Sequence, residues 1–146
     1  MCTSSIDLLN GGVNRPSNYY LSYLSAGHPE TPLHVLADLA HCTDYSIRMR
    51  VAENKLTPVF VQRMLVGDSH PEVRSALAEN PSVSEEILWK LAKDEDPIVR
   101  YDLADNPRVP LTVLVSLVND ENPYIAVKAE QTVEKIIASS NHKAAA

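Results

Sequence analysis

The residues best able to do chemistry in this chain recur at a fixed distance. Arg48, Arg74 and Arg100 stand twenty-six positions apart, and so do Asp68, Asp94 and Asp120. A row of guanidinium groups can hold phosphate or carboxylate in a planar, two-pronged grip. The same arginines can instead fork onto the repeat aspartates, or onto carbonyls at helix ends, and tie the chain to itself. The second reading is preferred because both rows lapse as repeat features do. Ala126 ends the arginine row, and Cys42 stands where the first aspartate would be.

A second cluster is His34, Asp38 and His41, at i, i+4 and i+7, with Cys42 beside it. On a helix that spacing shares one face and can hold a metal. The two histidines would be two turns apart, about 10 Å along the axis, and no fourth ligand is suitably spaced. A solvated polar face is the plainer account, and no cofactor is expected. Cys42 has no histidine–acid pattern around it and reads as a small apolar residue. There is no glycine-rich phosphate loop, nucleophile elbow or metalloprotease motif. No catalytic residue is assigned, and a non-enzymatic chain is expected.

Composition narrows the partners. The chain has 146 residues, 45% hydrophobic and 22% charged, with a formal net charge of −6. That is enough for one domain with a real core. The acidic balance argues against a general nucleic-acid binder, which needs a basic surface. It leaves proteins or peptides as partners, basic ones included. Two cysteines, Cys2 and Cys42, fit a reduced cytoplasmic protein with incidental thiols. No apolar run approaches a membrane span, and the first residues lack a basic-then-apolar secretion signal.

The elements that must position these residues follow from the same period. DSHPEVRSALAEN (68–80), DEDPIVRYDLADN (94–106) and DENPYIAVKAEQT (120–132) align without insertion. A constant period of this length means stacked supersecondary units. In each unit a first helix carries the apolar columns Val35/Val61/Ile87/Val113 and Leu39/Leu65/Leu91/Leu117. A third column is Ala40/Val66/Ala92/Val118, and a fourth, Leu36/Leu88/Leu114, is broken by Gln62. Thr31-Pro32 and Thr57-Pro58 read as an N-cap threonine with a first-turn proline. A second helix starts at the caps Asp44, His70, Asp96 and Asn122. It buries Ile47/Val73/Val99/Ile125, Val51/Leu77/Leu103/Ala129 and Ala52/Ala78/Ala104, the last implying close helix approach. Asn54, Asn80 and Asn106, in one column with His28, end the preceding helix and start a short extended link, and their amides are expected to bond backbone between repeats.

The pattern L-A-x-D-x-x-P-x-V-R-x-x-L-A-x-N-P, Leu91 to Pro107 and nearly so Leu65 to Pro81, resembles the leucine-rich repeat variant family, a relative in shape of HEAT repeats. The resemblance covers roughly residues 26–132. It implies a right-handed superhelix of alternating helices, one of which can be short and 3₁₀-like. Some members carry an iron–sulfur module with clustered cysteines. This chain has no such cluster, and that cofactor is not carried over.

The expected fold is therefore all-α: a right-handed α-solenoid of about four 26-residue helix pairs, near 28–53, 54–79, 80–105 and 106–138. A degenerate half-repeat (Asn18–Leu24) precedes them, and the last helix, Tyr124 to Ala138, is longer and caps the stack. A flexible arm is expected over 1–16, one repeat domain over 17–139 and a disordered tail over 140–146.

Function is sought where the repeats disagree. The solvent face of the second helices holds Ile98, Tyr101, Tyr124 and Val127 as an apolar patch, with Met49 earlier in the same row. Glu72, Glu79, Asp102 and Asp105 rim it. Exposed aromatic and apolar groups with a charged rim suit a protein or peptide contact. The alternatives are that the last helix or a second copy covers the patch. Trp89 stands at the side of a first helix, as a groove filler or an outer anchor. The expected function is a protein–protein interaction module. Set against it are a HEAT-like nucleic-acid-handling protein and a metal-linked protein centred on His34, Asp38 and His41. Oligomeric state is not legible.

Overall fold

The computed structural model describes residues 17–144; the arm expected at 1–16 and residues 145–146 lie outside them. Nine helices and no strand are found among the described residues. The first helices are α2 (Leu33–Leu39), α4 (Val59–Leu65), α6 (Glu85–Leu91) and α8 (Leu111–Leu117). The second helices are α3 (Tyr45–Glu53), α5 (Pro71–Glu79), α7 (Pro97–Asp105) and α9 (Pro123–Ala144), preceded by α1 (Ser17–Gly27). Both members of each pair are α-helical, so the short 3₁₀ variant does not occur here. α9 runs past the expected Ala138 and takes in residues assigned to a tail.

The apolar columns explain the packing. Val73, Val99 and Leu103 are 0% exposed. So are Ala26, Ala52, Ala78 and Ala104, and α1, α3, α5, α7 and α9 pack in succession along that alanine column. Without a branched side chain in the way the helix backbones approach closely. The seven-residue first helices cover the other side of the core through Leu36, Leu65, Ile87, Leu91, Leu114 and Leu117. The extension of α9 lies against α8, with Val133 and Ile136 packed on the core.

Polar columns join the units. Asn54 Nδ2 donates to the carbonyls of Ala26 (2.8 Å) and His28 (2.9 Å). Asn80 Nδ2 reaches Ala52 (2.6 Å) and Asn54 (3.1 Å), and Asn106 reaches Ala78 (2.7 Å). Each amide oxygen accepts the backbone N–H two residues on. His28 replaces asparagine at the first junction, and its Nδ1 accepts from Glu30 N in the same way. The asparagines thus form a ladder, each holding the helix end of the previous unit.

Two cap assignments change. Asp44, Asp96 and Asn122 cap α3, α7 and α9 as expected, each accepting from the N–H two residues on. His70 makes no side-chain cap bond; its ring stacks on Tyr45 with centroids 4.5 Å apart, bridging the first and second units. Thr31 and Thr57 are not N-caps. The prolines after them take that position, and the buried hydroxyls donate backwards, to Ser25 and Val51 carbonyls at the preceding helix ends.

The break at Gln62 also has a partner. Gln62 is buried, its Nε2 donates to Thr57 and Ser82 carbonyls, and its Oε1 accepts from Ser84 N at 3.0 Å. Ser84 is the one unit start without proline, so only there does a backbone N–H need an acceptor. Gln62→Leu is expected to cost about 1–3 kcal/mol by orphaning that group. Adding Ser84→Pro, compatible with its φ of −74°, should recover much of the loss. Urea unfolding of the two single variants and the double one checks this; additive losses would contradict the pairing.

Candidate functional site

Three classes of candidate residue end in different places. The arginines turn inward. Arg48 grips Asp68 of the following unit with Nε (2.6 Å) and Nη2 (2.9 Å), while Nη1 reaches the Cys42 and Thr43 carbonyls. Arg74 repeats this on Asp94 (2.7 and 2.9 Å) and the Asp68 carbonyl. Arg100 repeats it on Asp120 (2.8 and 3.2 Å) and the Asp94 carbonyl. Each aspartate also accepts the N–H two residues on. Burial works against the Asp68 and Asp120 carboxylates. The hydrogen-bonded Arg48 and Arg100 and those backbone donors outweigh it and hold both below the ordinary carboxylate range. The guanidiniums are committed to the stack, so the row offers no open anion site.

His34, Asp38 and His41 do not converge. α2 ends at Leu39, so His41 leaves the helix and its Nδ1 lies 2.9 Å from the Ala37 carbonyl. All three are exposed, and among the described residues no group of three His, Cys, Asp or Glu side chains could hold a metal ion. Cys42 is buried as expected, but it is disulfide-bonded and not an incidental thiol. The thiol argument for a reducing compartment therefore loses its support. Among the described residues no helix is long and apolar enough to cross a membrane.

The solvent face of α7 and α9 is apolar. Ile98 is 64% exposed, Tyr101 37%, Tyr124 79% and Val127 51%. Tyr101, Tyr124 and Val127 line one open groove of about 620 Å³ with Pro123, Lys128 and Gln131. α9 does not cover this face, because its first turns form one wall of the groove. Glu79, Asp102 and Asp105 line a second groove of about 270 Å³ with Asn106 and Arg108. Ser75 donates its hydroxyl to Asp102. Glu72 is exposed on α5, with His70 Nδ1 at 3.9 Å.

Met49 is not brought to the patch. It is half-buried against the core on α3, with α5 between it and α7. Lys128 belongs there instead. Its ammonium stands 5.3 Å from the Tyr101 ring centroid and 3.3 Å from an Asp105 carboxylate oxygen. Tyr101 first, then Asp105, hold its pKa above the ordinary lysine value. The signal was present in sequence: Lys128 is one turn beyond Tyr124 on the same helix. Trp89 is exposed on α6 and lines neither groove. Compared with known proteins, the chain matches no family model, no curated protein and no solved structure.

Proposed function

We propose that the chain is a non-enzymatic interaction module that docks a protein or peptide on the face formed by α5, α7 and α9. In this reading the helix pairs are four units of one right-handed solenoid of the leucine-rich repeat variant kind. The closely packed second helices line its inner, concave side. Tight succession along the alanine column, with no comparable row among the first helices, supports that curvature.

One observation carries the functional reading. Tyr101, Tyr124 and Val127 of neighbouring units wall one open groove, with Ile98 exposed on the same helix as Tyr101, and the chain's own long last helix leaves them uncovered. Contiguous apolar surface of this kind marks binding sites, and tyrosine supplies contact area at small entropic cost. The double variant Tyr101→Ala/Tyr124→Ala tests it. Immobilised wild-type chain should retain a partner that the variant loses, while stability falls by no more than about 1–2 kcal/mol, from the covered part of Tyr101, and the fold is kept. Unfolding of the double variant would place those rings among the stabilising contacts, and unchanged capture would remove the surface from consideration.

A further inference from the structure

The two grooves both use α7 for a wall but share no lining residue, and they are chemically unlike. One is walled by Tyr101, Tyr124 and Val127; the other is lined by Glu79, Asp102 and Asp105 with Asn106 and Arg108, and stays acidic on balance, three carboxylates against one guanidinium. Among the described residues neither Glu79 nor Asp102 has an ion-pair partner. Lys128 stands between the grooves, with its ammonium against both the Tyr101 ring and Asp105. The chain's own cation thus occupies a position bounded by an aromatic ring and a carboxylate. That is the environment a lysine or arginine from another molecule would seek. The Asp105 side chain is 53% exposed and that of Lys128 22%, so the carboxylate end of the pair is open to an incoming cation and the pair itself adds little that an exchange would lose.

We propose that this surface receives a basic peptide segment of a partner protein. An apolar anchor enters the Tyr101–Tyr124 groove, and a neighbouring lysine or arginine displaces Lys128 and reaches Asp105 and Asp102. The inference rests on the docking function proposed above and adds the partner's charge and the role of Lys128. Lys128 acts as an internal stand-in, which keeps the ring and carboxylate satisfied until a competing cation arrives. Uncharged and acidic segments lack the group that makes the exchange.

Four fluorescein-labelled octapeptides test this by fluorescence polarisation: a tyrosine–leucine anchor flanked by arginines, by glutamates or by serines, and the arginines without the anchor. The anchored arginine peptide should bind most tightly and weaken as salt is raised. Lys128→Gln should tighten it about three- to tenfold by removing the internal competitor. Asp102→Asn with Asp105→Asn should weaken it and flatten the salt dependence. Circular dichroism melts of each variant check that the fold is retained. Equal or weaker binding by Lys128→Gln overturns the proposal, as does failure of the arginine peptide to bind either protein. Equal binding of the serine peptide, lost with Tyr124→Ala, refutes the charge preference while leaving the docking function standing. Self-association in light scattering that disappears with Tyr124→Ala would make a second copy the occupant and overturn the basic partner.

Discussion

Replacing Arg74 by alanine is expected to lower stability by about 3–5 kcal/mol, a large share of what holds a domain of this size. The Arg74 and Asp94 side chains are 8% and 7% exposed, so removing the guanidinium leaves a carboxylate enclosed and without its cation. The Asp68 carbonyl loses a donor at 2.6 Å at the same time. The loss falls on the junction between two units, where stability depends on neighbour contacts. Arg74→Lys should recover less than half, since an ammonium cannot span both Asp94 oxygens and the carbonyl. Urea unfolding followed by circular dichroism measures this, and a change under 1 kcal/mol would show that the fork does not hold the stack. The pH dependence has a definite sign. Folding lowers the Asp68 and Asp120 pKa below 3.8, so their contribution is complete above that value and fades as acid titrates the folded carboxylates. Stability should therefore fall below about pH 4, and Arg48→Gln should blunt the part that comes from Asp68.

Asn80→Ala is expected to cost about 2–4 kcal/mol, because one amide serves three backbone groups. Its Nδ2 satisfies the Ala52 and Asn54 carbonyls, and its Oδ1 accepts from Ser82 N at 2.8 Å. Asn80 is 2% exposed, so water has little access to replace those bonds. Asn80→Asp keeps the acceptor but removes the donors and faces a carboxylate toward two carbonyls; it should be at least as damaging. Asn106, half-buried and bonded to one carbonyl, should cost less when changed to alanine. Thermal melts of the three variants should follow that order. An Asn106 loss equal to that of Asn80 would mean that the number of backbone groups served does not set the cost.

Much of this architecture is legible because its causes are local or periodic. An apolar residue at every helical return faces the core in each unit, so Val73, Val99 and Leu103 could be placed inside and Ile98, Tyr101 and Tyr124 outside. Aspartate or asparagine before a second helix caps it whatever lies across from it. The arginine, aspartate and asparagine rows were legible as structural rows because they began and ended with the repeats. Tertiary structure alone decided which unit each partner belongs to. Arg48, Arg74 and Arg100 grip the carboxylate of the next aspartate in the series and take only a backbone carbonyl from their own unit, a choice made by stacking distance. Gln62 looked like a flaw in a leucine column until Ser84 N came within 3.0 Å of it. The threonine hydroxyls turned back to carbonyls, Met49 sank toward the core, and Lys128 settled against Tyr101. Periodicity tells which way a side chain points; only the packed neighbours determine what stands in front of it.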